Sequence, residues 1–115
     1  MHEASLVSAL CDQIDSSIAP HPGAIVRCVH VRVGELAGVE PELFKTAFEL
    51  LRENRSCRGA ALEVVAEAAE WRCRACDSVL ARGGILKCEA CGGEARLRQG
   101  GDVFLDRLEL EVPDV

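Results

Sequence analysis

Apolar and polar positions along this chain alternate between the period of a helix and the period of a strand. Leu6, Leu10, Ile14 and Ile18 recur at four-residue steps, with Val7 and Cys11 widening the stripe. Asp12, Gln13, Asp15 and Ser16 largely take the other side. This spacing predicts an amphipathic helix over residues 4–19, with Cys11 as a small core residue. Pro20-His21-Pro22-Gly23 stops it, because proline lacks the backbone N–H and restricts the residue before it. Residues 25–33 change to period two: Val29, Val31 and Val33 alternate with Cys28, His30 and Arg32, which predicts a strand. His30 falls on its polar face and reads as a surface histidine.

Gly34-Glu35-Leu36-Ala37-Gly38-Val39 reads as a loop punctuated by glycine. Over residues 41–54, Leu43, Phe44, Ala47, Phe48 and Leu51 form one face of a second helix. Pro41 suits its first turn, and Glu40 and Glu42 sit near the positive end of its dipole. Asn54 to Gly59 reads as a loop with Cys57 exposed in it. Residues 60–69 and 103–112 alternate again and predict two more strands, the latter ending Leu108-Glu109-Leu110-Glu111-Val112.

The order helix, strand, helix, strand allows a crossover connection, so at least one strand pair can be parallel. The expected fold class is α+β: a small three-stranded sheet with two helices on one face, and an inserted metal-bound ribbon. Residues 1–70, completed by a C-terminal strand in 101–115, form the larger domain, and residues 71–100 form the ribbon. Trp71 is expected to pack at the joint between them.

The ribbon is read from its cysteines. Cys73-Arg-Ala-Cys76 is followed, after eleven residues, by Cys88-Glu-Ala-Cys91. Two such pairs supply four thiolates at the ~2.3 Å that Zn(II) prefers, and four protein ligands leave no open position, so the site is structural. Gly92-Gly93 can take positive φ and turn backbone N–H groups toward a sulfur. About 30 residues of ribbon bury too little surface to fold without the metal. Cys11, Cys28 and Cys57 have no patterned partner, which fits reduced thiols in a cytosol better than a disulfide framework.

Composition narrows the functions. At 115 residues, 49% of them apolar, the chain has the material for one domain with an appendage. A net charge of −6 argues against general nucleic-acid binding. Residues 71–100 nevertheless hold six basic residues against three acidic ones. No basic leader with an apolar stretch, and no apolar run near twenty residues, is read, so the expected location is the cytoplasm, without a membrane. No nucleophile triad, P-loop, paired carboxylates or open zinc position is found, so no catalytic residues are assigned and an enzyme is not expected.

Met1-His2-Glu3 offers different chemistry. The α-amino group, the backbone amide nitrogen of His2 and its imidazole can close consecutive chelate rings around one ion, and the Glu3 amide could supply a fourth nitrogen. Four nitrogens in a plane suit Ni(II) or Cu(II). A histidine near a chain start is otherwise commonplace, and frayed termini are usually functionless.

Together the Met1-His2-Glu3 start, the segment from Gly34-Glu35-Leu36-Ala37-Gly38-Val39 through Glu40-Pro41-Glu42, the cysteine quartet, and Gly100-Gly101-Asp102 before the last strand resemble the HypA/HybF hydrogenase nickel-insertion proteins over essentially the full length. The resemblance implies a nickel metallochaperone for maturing nickel–iron hydrogenase. It implies nickel held by His2 with the Met1 amine and Glu3 adjacent, and zinc held by Cys73, Cys76, Cys88 and Cys91. Implied partners are a nickel-handling GTPase, the hydrogenase large subunit and, for some members, urease maturation proteins. Cys11, Cys28 and Cys57 and the short loop between the pairs depart from the family pattern. Competing readings are a zinc-ribbon adaptor, or a nucleic-acid module without nickel function, for which the ribbon has one aromatic, Trp71, to stack on bases. An iron–thiolate electron carrier is a third, since the same cysteines can hold iron.

Overall fold

The computed structural model describes residues 3–81 and 86–113. Its elements are α1 (Glu3–Ile18), β1 (Ile25–Gly34), α2 (Pro41–Leu51), β2 (Ala61–Glu67), β3 (Glu70–Cys73), β4 (Ala95–Gln99) and β5 (Val103–Glu111). One sheet has the order β2-β1-β5 and a second pairs β3 with β4. Strand β1 is central: it runs parallel to β2, across the α2 crossover, and antiparallel to β5.

The inner face of β1 carries Val26, Val29, Val31 and Val33, all buried. An irregularity between Val26 and Cys28 shifts the inward position from even to odd numbers. Helix α1 lays Val7, Leu10, Cys11 and Ile14 into the same core, and α2 contributes Phe44 and Phe48. Leu62 and Val64 from β2 and Val103, Leu105, Leu108 and Leu110 from β5 close the edges. Both helices therefore cover one face of the sheet, and the other face, with Cys28, His30, Arg32, Glu63 and Glu109, carries no helix among the described residues. Helix α2 is capped by the Glu40 carboxylate, which accepts from the Glu42 N–H at 3.3 Å, ahead of Pro41 in the first turn.

Cys57 is not exposed. It is fully buried, with its sulfur 3.7 Å from Cys11 Sγ. The reason lies in its neighbours. Arg55 pairs with Asp12 at 2.6 Å and Asp15 at 3.0 Å, and the Ser56 N–H donates to Asp15 at 3.1 Å, so the loop after α2 is tied back onto α1. Burial is the main cause that raises the Cys57 thiol to about 12 and also raises Cys11, so both stay protonated at neutral pH. Replacing Cys57 by serine is expected to cost about 1–3 kcal/mol, because the hydroxyl enters a site built for a thiol. Cys57→Ala should cost less than Cys57→Ser. Urea unfolding of the two variants checks the order, and the reverse order would mean that volume, not polarity, dominates here.

The chain leaves the larger sheet after Glu67 and returns at Gly100. Three contacts fasten that crossing to the loop after β1. The Glu35 N–H donates to Glu67 O at 2.8 Å, the Leu36 N–H to Gly100 O at 2.8 Å, and the Ala69 N–H to the Glu35 carboxylate at 2.7 Å. The loop read only as punctuation is thus the staple at the base of the β3–β4 sheet.

Candidate metal centre

Cys73 closes β3, Cys76 follows in the turn, and Cys88 and Cys91 sit on a second turn before β4. The two turns are copies. The Cys73 N–H donates to Ser78 O at 2.9 Å and the Asp77 N–H returns to Cys73 O at 3.0 Å. In the second turn the Cys88 N–H donates to Gly93 O at 2.9 Å and the Gly92 N–H returns to Cys88 O at 2.8 Å. The residue after each second cysteine is left-handed, Asp77 at φ 60° and Gly92 at φ 76°. Glycine takes that conformation freely. Asp77 is held there by Arg96 at 2.5 Å and by Arg72, whose guanidinium donates to Asp77 O at 3.0 Å. Aligned position by position, the two turns set Asp77 against Gly92, a signal already present in the sequence.

The sulfurs converge. Cys73 Sγ lies 3.4 Å from Cys91 Sγ, and Cys76 Sγ lies 3.7 Å from Cys88 Sγ and 3.6 Å from Cys91 Sγ. All four lie within 4.8 Å of one another. A tetrahedron with metal–sulfur bonds of ~2.3 Å has edges of about 3.8 Å, so the cluster fits Zn(II). A Cβ on Gly93 would lie 2.6 Å from Cys73 Sγ and 3.3 Å from Cys91 Sγ, so the cradle closes only around glycine.

The thiols are prepared unequally. N–H groups of Cys76 and Ala75 reach Cys73 Sγ and lower that thiol. The Ser78 hydroxyl and backbone bring Cys76 down to about 6. The Gly93 N–H favours a Cys91 thiolate, yet neighbouring Cys73 and Cys76 outweigh it and push Cys91 up to about 12. Four sulfurs this close cannot all ionise without a cation among them, and a divalent metal supplies that charge.

At the other end of the chain, Glu3 is the half-buried first residue of α1. Met1 and His2 lie outside the described residues. Glu3 and the four cysteines sit on separate elements: Glu3 at the start of α1, the cysteines in the turns flanking the β3–β4 sheet. No helix among the described residues is long and apolar enough to cross a membrane.

An α+β layer that carries a four-cysteine cluster consistent with a zinc ribbon, with no ligand position left open there, defines a protein whose cysteine cluster suits a structural metal and not a catalytic one. The family model described as "Hydrogenase/urease nickel incorporation, metallochaperone, hypA" matches residues 1–110. The hydrogenase maturation factor HypA of Caldanaerobacter subterraneus subsp. tengcongensis is 32% identical over 114 residues, covering 96% of this chain and 100% of that protein. The same factor from Shewanella baltica is 36% identical over 115 residues, covering 96% of this chain and 97% of that protein. The solution structure of the Ni metallochaperone HypA from Helicobacter pylori superposes with a TM-score of 0.71 at 32% identity, covering 98% of this chain and all of that one. This chain belongs to the HypA family of hydrogenase and urease nickel-incorporation metallochaperones, which are maturation factors and not catalysts.

Proposed function

We propose that this chain carries Ni(II) as cargo at its N-terminus and delivers it in the cytoplasm during maturation of nickel–iron hydrogenase. In this reading Met1 and His2 are ligands, Glu3 is the adjacent residue, and a zinc ion on Cys73, Cys76, Cys88 and Cys91 holds residues 71–100 as a separate module. A nickel-handling GTPase and the hydrogenase large subunit are the proposed partners, with urease maturation proteins as further ones.

Membership in the nickel-incorporation family carries the reading. The position of α1 supports it physically. Glu3 stands in the first turn of α1, so its amide has no intrahelical acceptor and no helical hydrogen bond is lost when it becomes a ligand. The positive end of the helix dipole opposes a bare cation. An amine, an imidazole and two deprotonated amides around Ni(II) form a neutral unit, which removes that opposition. A terminal site is also one that a partner can reach and dismantle, as delivery requires.

The test is nickel titration of untagged protein with an authentic start, beside His2→Ala. One planar Ni(II) per chain is expected, read from its d–d absorption, and none in the variant at the same concentration. Equal binding by both proteins would move nickel to another site and sink the N-terminal assignment. Nickel binding should also weaken as pH falls through ~7 to ~6, since an amine (~7.8) and an imidazole (~6.5) must both be deprotonated to bind. Affinity at pH 6 equal to that at pH 7.5 would argue against amine–imidazole ligation.

A further inference from the structure

The helix-free face of the larger sheet carries a second group of metal-ligating side chains. Cys28 and His30 project from β1 on the side opposite the buried valines, and Glu109 of β5 stands in register with Cys28. One ligand atom from each of the three lies within 4.8 Å of the others. The Glu109 carboxylate is their hub. His30 Nε2 is 2.7 Å from Glu109 Oε2, and Cys28 Sγ offers its ligand atom within 4.8 Å of both.

We propose that Cys28 Sγ, His30 Nε2 and a Glu109 oxygen form a second, open site for a borderline divalent ion of the Zn(II), Co(II) and Ni(II) group. The donor set suits that class, in which a thiolate and an imidazole select for such ions over Mg(II) or Ca(II). Two charged donors, one thiolate and one carboxylate, balance a divalent ion. In the metal-free arrangement hydrogens occupy the donor atoms: the thiol hydrogen on Cys28 and, in the Nε2–H tautomer, the imidazole hydrogen toward Glu109. The ion replaces them. The Cys28 proton leaves to solvent, the single N–H hydrogen of the imidazole moves from Nε2 to Nδ1, and the His30–Glu109 separation opens from 2.7 Å to the edge of a coordination polyhedron, about 3.3 Å for bonds near ~2.0 Å.

The surroundings favour exchange over permanent binding. Three protein ligands leave a fourth position for water or an incoming donor. The Glu109 side chain is 58% exposed and that of His30 is 15% exposed, so the site is reached from solvent on the carboxylate side. Glu63 of β2 stands opposite His30, and Arg107 of β5 opposite its other side. Glu63 adds negative potential at Cys28 and Arg107 subtracts from it. The β-strand framework fixes all three positions, because Cys28 and His30 are two apart on one strand and Glu109 is held by the β1–β5 ladder.

The experiment uses full-length His2→Ala protein loaded with one equivalent of zinc, titrated with Co(II) alone. Zinc outcompetes cobalt for the four-thiolate site, so a new thiolate-to-cobalt charge-transfer band reports a different cysteine. One equivalent of cobalt with a single-thiolate band is expected, with zinc retained. Cys28→Ser should abolish the band, while Glu109→Gln and His30→Gln should each raise the midpoint at least about tenfold, as loss of a ligand exceeds the loss of an outer-shell partner. All three side chains lie on the helix-free face, and far-UV dichroism checks that each variant is folded. No band in the parent, a band accompanied by zinc release, or a band that survives Cys28→Ser would overturn the proposal. Because His2 is already removed, neither result bears on the N-terminal nickel site.

Discussion

Chelating the metal from the zinc-loaded protein is expected to unfold the β3–β4 sheet and leave the β2-β1-β5 sheet and both helices in place. The reason is the distribution of the core. The main buried cluster draws on α1, β1, α2 and the loop after α2, and contains no residue from 71 to 100. Within that stretch the described residues that reach full burial are two of the metal-ligand candidates themselves, Cys73 and Cys88, and the backbone of Gly100. Leu80 and Leu97 are half-buried, and Val79 and Leu86 are exposed. Strands of four and five residues with so little apolar cover cannot offset their ordering entropy, whereas structural zinc contributes about 10–16 kcal/mol at neutral pH in zinc-finger peptides. Amide exchange should show the difference directly. Protection at Cys73, Arg74 and Leu80, whose N–H groups donate to Ser78, Glu94 and Trp71, should vanish with the metal. Protection at Val29 and Val31 should persist. Cys91→Ala should reproduce the effect without a chelator and keep nickel binding at the N-terminus. Loss of both sheets in one transition would mean that the chain is a single cooperative unit. Purified protein should be colourless; a red preparation would place iron on the four thiols instead.

The larger sheet was legible because its core face obeys one period. Val29, Val31 and Val33 alternate in sequence and are buried in the structure, and Phe44 and Phe48 fall one helical turn apart as the buried face of α2. The four-cysteine cluster was legible because its chemistry is written in local spacing, three residues within each pair. Strands β3 and β4 were not. Arg96 and Arg98 alternate with half-buried Ala95, Leu97 and Gln99 in so short a run that no apolar stripe stands out, and the pairing of β3 with β4 depends on the metal turns bringing their ends together. Cys57 was misread for a related reason. What buries it is an ion pair between Arg55 and two aspartates 43 and 40 positions earlier, and nothing in a six-residue window reports that. The Cys28–His30–Glu109 group is the extreme case. Its third member lies 79 residues from His30 and is selected by strand register, which the sequence pattern narrows to a face but not to a position.

Gly100→Ala is expected to destabilise the protein by more than about 3 kcal/mol, and Gly101→Ala by about 1 kcal/mol or less. The two glycines are adjacent and look equivalent in sequence, but they meet different surroundings. Gly100 has φ +91°, and a Cβ there would lie 2.5 Å from Ala69 Cα and 2.7 Å from Ala69 N. Those are backbone atoms of the connection between β2 and β3 and cannot rotate away. Any shift also breaks the Gly100 N–H bond to Glu67 Oε1 at 3.0 Å and the bond from the Leu36 N–H to Gly100 O at 2.8 Å. A Cβ on Gly101 would meet only Leu97 Cδ2 at 2.8 Å, the far end of a flexible side chain. Urea unfolding of both variants gives the comparison, and equal losses would show that the close approach at Ala69 relaxes cheaply. The position of Gly100 makes the result informative about function as well. It lies where the chain returns from the four-cysteine turns, beside the loop that follows β1, so this crossing offers a path for any influence of the zinc state on the proposed nickel site at the N-terminus. Titrating nickel into zinc-loaded and zinc-stripped protein measures that influence. If the two affinities differ in the parent and the difference disappears in Gly100→Ala, the stapled crossing is the physical link. If zinc removal leaves nickel affinity unchanged in the parent, the two sites are energetically independent, and the crossing serves stability alone.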